Sequence, residues 1–202
     1  MAFGLIILLA SRMKLRLCIA GPAITLREAK EFAPNFADAQ SLPERTSSIG
    51  LGVSGPIWNW QTSFLFDYDI FPSHIMRFEA EWTTAGRKMK VGDIILQRAI
   101  VPPIGFGICM EFAVRVCGIF EDEKRLGFAY ETLSGHAERG ISEFYFEDRG
   151  GVLAFTIHTF SEPGHWTSRL AQRMVTLPYQ AWCTRRALRH VRDTFHEKNE
   201  RG

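Results

Sequence analysis

Five strand-like segments follow one another in the second half of the chain, and they constrain the fold more than any other feature. They span residues 93–101, 107–121, 126–133, 142–148 and 152–161. The connections between them are a Pro-Pro pair, an acidic turn, a polar loop and an Asp-Arg-Gly-Gly turn. Strands joined by connections this short pair with their neighbours in opposite directions, so the sequence predicts an antiparallel meander.

The segment 107–121 shows the alternation of a strand most clearly. Apolar side chains, among them Phe112 and Val116, fall on one face, while Glu111 and Arg115 fall on the other. Two interpretations of the charged pair are open. If their face lines a cavity, Glu111 and Arg115 could anchor a carboxylate or a polar head group. If that face meets water, they are ordinary outward charges.

The polar loop within Leu126–Glu147 concentrates donors, acceptors and titratable groups more than any other stretch. It carries Thr132, Ser134, His136, Glu138 and Arg139. His136 with Glu138, or with Glu143 beyond the loop, could form a general acid–base pair, because a carboxylate raises the imidazole pKa and fixes its orientation. Alternatively, His136 hydrogen-bonds within a tight turn and Glu138 forms a surface ion pair with Arg139. This structural interpretation is favoured, since no nucleophile or metal triad completes the set.

A long amphipathic helix is predicted from about Ser168 to Lys198. A 3.6-residue step produces one apolar stripe suited to packing against a sheet: Leu170, Met174, Leu177, Ala181, Thr184, Leu188, Val191 and Phe195. Pro178 removes a backbone donor within it, so we expect a kink near Thr176–Leu177. The distal half is basic, through Arg185, Arg186, Arg189 and Arg192. These charges could serve a membrane surface or a partner, but a solvated charged face is favoured.

The N-terminal part has weaker patterns. Alternation predicts a strand over Met13–Ala20, and a capping box formed by Thr25 and Glu28 predicts a helix from Leu26 to about Ala37. Residues 39–55 are rich in Ser, Gly, Pro and Thr and are predicted to be a long surface connection.

Two further elements are predicted before the meander. Residues 57–66 hold Trp, Thr and Phe in a context that favours a strand. Residues 71–82 fit helical and strand periodicity alike, and the helix propensity of Met, Arg, Glu and Ala favours a helix. We therefore expect an N-terminal extension over 1–55 and a main domain over 56–202.

The composition is that of an ordinary globular chain. Of its 202 residues, 46% are hydrophobic and 23% charged, which is enough for one domain with a core or an internal cavity. The formal net charge is only +2, so no global field indicates nucleic acid. Four scattered cysteines predict buried thiols in a reducing compartment rather than a zinc site. The apolar run Gly4–Ala10 is too short to span a bilayer, and a cytoplasmic location is expected.

Two sequence motifs resemble a known family. Gly127–Gly140, reading GFAYETLSGHAERG, resembles the G-F-A-Y-G-T-L-P-G-H-P-E-x-G signature of the family catalogued as domain of unknown function nineteen-ninety. Phe160–Pro163, reading FSEP, is similar to its A-F-S-x-P segment. Glu131 replaces a usual Gly, and Ser134 and Ala137 replace two prolines.

The resemblance covers roughly Pro56–Val191 and implies a fold without a reaction. The family is assigned to the START-like, birch-pollen-allergen-like superfamily, whose helix-grip fold the order of predicted elements also resembles. The implied class is α+β, with a curved antiparallel β-sheet wrapped around a long C-terminal helix and a cavity between them. The activity of the family is not established.

We therefore expect a binding module that holds a small hydrophobic or amphipathic molecule in that cavity. The candidate ligand-binding residues are Tyr130, Thr132, Arg139, Glu111, Arg115, Phe112, Phe155 and Met174. One alternative is an enzyme of the cyclase, hydratase or hydrolase type that uses His136 with Glu138 or Glu143. Another is an interaction protein that uses the basic distal helix. A cavity reaching the His136 loop would favour the enzyme, and a closed apolar cavity the binder. No metal, cofactor or nucleic-acid partner is expected.

Overall fold

The computed structural model describes residues 17–19, 24–101, 106–163 and 177–200. One sheet contains the strands β1 (Leu17–Ile19), β2 (Glu44–Gly50), β3 (Met76–Ala80), β4 (Ile94–Val101), β5 (Phe106–Glu121), β6 (Arg125–Thr132), β7 (Glu138–Arg149) and β8 (Val152–Pro163). The helices are α1 (Leu26–Ala29), α2 (Glu81–Thr84) and α3 (Leu177–Glu200). Short 3-10 turns lie at Ala39–Ser41, Ile57–Asn59 and Ser63–Leu65.

The sheet follows the antiparallel order β2-β8-β7-β6-β5-β4-β3, and β1 pairs in parallel with β5. Strands β4 to β8 are neighbours in both sequence and space, so the predicted meander is confirmed. The β5–β6 register shifts between Val116 and Gly118, and such a bulge increases the local bend and twist of a strand pair. The predicted class, α+β with a curved antiparallel sheet around a C-terminal helix, is confirmed.

Helix α3 packs on one face of the sheet, which we call the inner face. The fully buried ring of Phe195 lies 6.1 Å from the ring of Phe146 and 5.7 Å from that of Trp60. Ala187 and Val191 are buried in the same core. Truncation of a large buried ring typically costs about 3–5 kcal/mol of unfolding free energy, so these contacts are a main anchor of the helix.

The predicted stripe of α3 is confirmed in the distal half of the helix. Its buried members are Leu188, Val191 and Phe195. Thr184 is half-buried and Ala181 is exposed, so the apolar contact narrows toward the start of the helix. Leu170, Met174 and the predicted kink near Thr176 lie outside the described residues.

Several secondary-structure predictions before the meander are wrong. Residues 44–50, predicted as part of a connection, form the edge strand β2 and pair with β8 over their whole length. The predicted strand over 57–66 is replaced by two 3-10 turns. Met76–Ala80 is a strand rather than a helix, because pairing with β4 overrides helix propensity. The sheet therefore extends across the boundary predicted at residue 55.

The segment that contains α1 lies on the opposite, outer face of the sheet. The capping box of Thr25 and Glu28 is present, so the predicted helix start is confirmed, but α1 is a single turn and does not reach Ala37. Ala29 is fully buried against the sheet in a small second core that includes Leu133. This packing explains why so short a helix persists, since propensity alone does not stabilise one turn.

Two glycines of the signature are required by close backbone packing. A Cβ at Gly127 would lie 2.0 Å from the carbonyl oxygen of Phe144 on the neighbouring strand. At Gly140 the φ angle is +143°, and a Cβ would lie 1.9 Å from the carbonyl oxygen of Phe160. Only glycine fits either position without moving a strand.

Candidate functional site

A cavity of about 360 Å³ lies between the inner face of the sheet and α3. Its apolar wall includes Phe71, Ile75, Met76, Met110, Phe112 and Phe144. Its polar side chains include Gln97, Tyr130, His136, Glu138, Ser142 and Gln180. Ligand sites typically have volumes of roughly 300–1,000 Å³, so this space suits a small guest.

The pleat of the sheet decides which residues reach the cavity. Alternate residues of a strand point to the same face, and the wall takes such alternate pairs from successive strands. These pairs are Gln97 and Ala99 on β4, Met110 and Phe112 on β5, Ser142 and Phe144 on β7, and Ile157 and Thr159 on β8. The opposite wall comes from α3, through Tyr179, Gln180, Cys183 and Thr184.

A buried hydrogen-bond chain ends in the cavity wall. Gln97 donates from Nε2 to the hydroxyl of Tyr68 at 2.6 Å, and both side chains are almost completely buried. The Tyr130 hydroxyl is hydrogen-bonded to Gln97, Tyr68 and Ser142. Burial raises the pKa of Tyr130, so its phenol stays neutral. Tyr68 also has a positive φ of 64°, a strained conformation for a bulky residue that this chain helps to hold.

His136 is held by the backbone of its own turn. Its Nδ1 lies 3.0 Å from the Glu138 amide nitrogen and 3.1 Å from the Glu138 carbonyl oxygen. That carbonyl already accepts a hydrogen bond from Asn35 Nδ2 at 2.9 Å. We therefore assign Nδ1 as the acceptor of the Glu138 N–H, which leaves the proton of the neutral ring on Nε2.

The surroundings of His136 disfavour its charged form. The ring packs on Phe112 with centroids 4.7 Å apart. Burial lowers the pKa of His136 to about 4, although a hydrogen bond from the protonated ring to the Glu138 carbonyl oxygen acts in the opposite direction. The imidazole is therefore neutral at pH 7 and offers an N–H donor rather than a cation.

Glu138 lies beside His136 and reaches across to α3. Its carboxyl group accepts a hydrogen bond from Gln180 Nε2. Burial raises the pKa of Glu138, and Arg45 partly offsets this effect. Cys183, which lines the same wall, also has a raised pKa because of burial. These shifts favour uncharged side chains at this end of the cavity.

The predicted candidates differ in their position relative to the cavity. Those that line the cavity are His136, Glu138, Tyr130 and Phe112. Thr132 and Phe155 are buried nearby but do not line it: Thr132 accepts from Gly140 N–H at 2.8 Å, and Phe155 packs on Phe146 in the core. Arg139 forms an ion pair with Glu162. Met174 lies outside the described residues.

Glu111 and Arg115 lie on the outer face, so the cavity interpretation of this pair is wrong. Glu111 accepts hydrogen bonds from the backbone N–H of Ile24 at 2.9 Å and from Arg98 at 2.7 Å. Arg115 donates to the carbonyl oxygen of Phe32 at 2.7 Å. Neither side chain is an ordinary outward charge, because both fasten the N-terminal segment to the sheet.

Glu143 also lies on the outer face and is separated from His136. Its carboxylate is 3.1 Å from Nδ1 of His158, whose Nε2 is 2.8 Å from Glu44 on β2. This cluster connects β7, β8 and the edge strand β2. The pairing of His136 with Glu143 is therefore not formed in the structure.

Sequence reasoning missed Gln97 and Gln180. Gln97 is the one amide in the apolar run of β4, and such an isolated polar residue in a buried strand was a usable signal. Gln180 gave no signal by itself, because it lies one residue from the predicted stripe position Ala181. Its importance follows only from its contact with Glu138.

The described residues contain neither a metal-binding cluster nor a candidate membrane span. Within the ranges 24–101, 106–163 and 177–200, no group of three or more His, Cys, Asp or Glu is arranged to hold a metal ion. In the same part of the chain, no helix has the length and apolar character needed to cross a bilayer.

Comparisons with known proteins give a family and a fold neighbour. The family model described as "Domain of unknown function (DUF1990)" matches residues 33–190. A "UPF0548 protein" from Deinococcus radiodurans is 28% identical over 165 residues, which cover 76% of this chain and 83% of the relative. Among solved structures, ginseng major latex-like protein 151 from Panax ginseng is similar with a TM-score of 0.43 and 12% identity, covering 76% of this chain and 97% of that one.

Proposed function

Because the chain belongs to the family described as Domain of unknown function (DUF1990), as its signature predicted, and this description assigns no activity, we propose a function from the cavity itself. The protein binds a small apolar or amphipathic molecule between the inner face of the sheet and α3. The observation that carries this proposal is a space of about 360 Å³ with an aromatic and aliphatic wall and a polar end.

The apolar character and the packing of the cavity wall favour the binding of a guest. A guest in this space contacts the apolar lining side chains, and each methylene that it buries contributes about 0.8 kcal/mol. The aromatic rings of Phe71 and Phe144 lie 6.4 Å apart in an edge-on arrangement, so this part of the wall is held in shape by its own packing. A wall that is already ordered loses little entropy when a guest binds.

Isothermal calorimetry with 1-decanol tests this proposal. We expect saturable binding to the full chain and a loss of affinity of about tenfold or more in Ala99→Phe, because the new ring occupies the space meant for the guest. Ala181→Phe is the matched control, since Ala181 is exposed on the same helix that forms the opposite wall. Thermal unfolding of both variants checks that they are folded.

Two results would contradict a binding role in this cavity. One is the absence of saturable heat with the folded wild-type chain. The other is an equal affinity in wild type and in folded Ala99→Phe. Native mass spectrometry of freshly expressed protein complements calorimetry, because a mass above that of the chain identifies the class of a co-purifying guest.

A second candidate is an enzyme, and the reach of the cavity to the His136 loop favours it. The neutral imidazole could donate from Nε2 to a guest oxygen, and Glu138, whose pKa is raised by burial, could act as the proton donor or acceptor. This candidate predicts that the guest recovered from wild type differs in mass from that recovered from His136→Asn. Identical guests in both proteins would argue against turnover.

A further inference from the structure

The polar end of the cavity is built from the neutral side chains of His136, Tyr130 and Ser142 and from Glu138, whose pKa is raised by burial. The proton of His136 is on Nε2, because Nδ1 is occupied by the Glu138 N–H at 3.0 Å. The phenol of Tyr130 and the hydroxyl of Ser142 are hydrogen-bonded to each other. Burial of these groups therefore favours contact with a partner that also forms hydrogen bonds without bringing a net charge.

In the described part of the chain no cationic side chain lines this end, and Arg45, which partly offsets the pKa shift of Glu138, is not a lining residue. Among the lining residues within the described ranges, none is Lys or Arg. The one acidic group, Glu138, is already engaged by Gln180 Nε2. An anionic guest would thus be desolvated beside a carboxyl group and without a counter-charge, which costs several kcal/mol in proteins.

We infer that the guest's polar group is an uncharged hydrogen-bonding group, such as a hydroxyl or a carbonyl oxygen that accepts from His136 Nε2. This inference rests on the proposed binding function and narrows its ligand class. The protein selects neutral alcohols and ketones with an apolar body, and it discriminates against carboxylates and ammonium ions of the same length.

The expected difference in affinity between neutral and charged guests follows from the fraction of each guest that is uncharged at pH 7. A carboxylic acid with an ordinary pKa of about 4.3 is protonated in only about one molecule in 500 at pH 7, so binding as the neutral acid weakens its affinity by roughly a hundredfold or more. An alkylamine with a pKa near about 10.4 must likewise lose a proton, which weakens binding by about a thousandfold. An alcohol of the same length has no such cost.

The test uses the full-length chain at pH 7 and three matched probes: 1-decanol, decanoate and decylamine. Calorimetry is expected to give the tightest binding for 1-decanol and affinities at least about tenfold weaker for the two charged probes. Decanoate binding within a factor of about three of 1-decanol would overturn the inference. Decylamine binding tighter than 1-decanol would also overturn it, since Glu138 would then act as a fixed anion.

The same series separates the two proposals. If none of the three probes binds, the proposed binding function itself fails. If 1-decanol binds but charge has no effect, only the inference about the ligand class fails.

A charge variant tests the stated cause of the discrimination. Thr184→Lys places a cation in the cavity wall on α3, and we expect it to improve decanoate affinity by about tenfold or more. Ala181→Lys adds the same charge at an exposed position and is expected to leave the ranking of the three probes unchanged. If folded Thr184→Lys does not improve decanoate binding, the lack of a cation is not what excludes anions. If that variant does not fold, the series on the wild-type chain decides.

Discussion

Replacement of His136 by Asn should remove a pH-dependent loss of stability. The folded protein holds the imidazole neutral, and its pKa is lowered to about 4 from an ordinary value of 6.5, mainly by burial. Asn places an amide oxygen near the position of Nδ1, so the Glu138 N–H keeps an acceptor while the titration disappears. The variant therefore separates the proton equilibrium of His136 from its hydrogen bond.

The direction and the size of this pH dependence follow from the difference in the His136 pKa between the folded and the unfolded chain. Between pH 6.5 and pH 4 the unfolded chain binds a proton at His136 more readily than the folded chain does, so this group's contribution falls as the pH falls. With these two pKa values the loss between pH 7 and pH 5 is about 2 kcal/mol of unfolding free energy. Glu138 acts in the opposite direction because its pKa is raised, but it is present in both proteins and largely cancels in the difference.

Urea denaturation at pH 5, 6 and 7, followed by tryptophan fluorescence, measures this difference. We expect the gap in unfolding free energy between wild type and His136→Asn to change by about 1–2 kcal/mol across the series, in favour of the variant at pH 5. His74→Asn is the matched control, since it makes the same substitution at an exposed histidine. Parallel curves for wild type and His136→Asn would refute the conclusion that burial keeps His136 neutral.

Three further substitutions probe the frame of the cavity. Gly127→Ala should destabilise the fold by about 3 kcal/mol or more in thermal melts, because the added Cβ would overlap a carbonyl oxygen of the next strand. Gly118→Ala is its control and should cost far less, since a Cβ at Gly118 would lie 3.6 Å from its nearest neighbouring atom. Phe195→Ala should lower the unfolding free energy by about 3–5 kcal/mol in urea titrations, and Trp58→Ala, which removes a ring that is 53% exposed, serves as its control. Glu111→Gln should speed amide hydrogen exchange near Ile24 and leave 1-decanol affinity unchanged; a loss of affinity would contradict its position on the outer face.

The meander was predictable because local pattern and long-range pairing agree there. In β5 the apolar residues Phe112, Val114 and Val116 share the inner face, and each also pairs across to a neighbouring strand in register. Short connections then leave only the antiparallel arrangement. Where the two kinds of information agree, sequence alone is sufficient to assign the fold.

The segment before the meander was not predictable because the two kinds of information conflict. Met76–Ala80 contains good helix formers, but its backbone pairs with Ile95–Ala99 and forms an edge strand of the sheet. Residues 44–50 lack sustained apolar alternation because the strand is largely exposed, yet they complete the other edge. Edge strands are stabilised by the backbone of a neighbour, and that contribution leaves little trace in side-chain pattern.

The cavity explains why the loop was recognisable but the partner of Glu138 was not predicted. The structure joins the imidazole of His136 to the backbone N–H of Glu138 in the same turn, as the favoured interpretation predicted. The carboxyl group of Glu138 contacts Gln180 on α3 instead of Arg139. A contact of the second kind spans 42 positions and has no local signature. Because the two side chains are fastened to different elements, they complete two neighbouring parts of one wall. The sequence proximity of His136 and Glu138 thus gives each a place at the polar end of the cavity, and burial there lowers the pKa of His136 and raises that of Glu138, which disfavours a charge on either side chain.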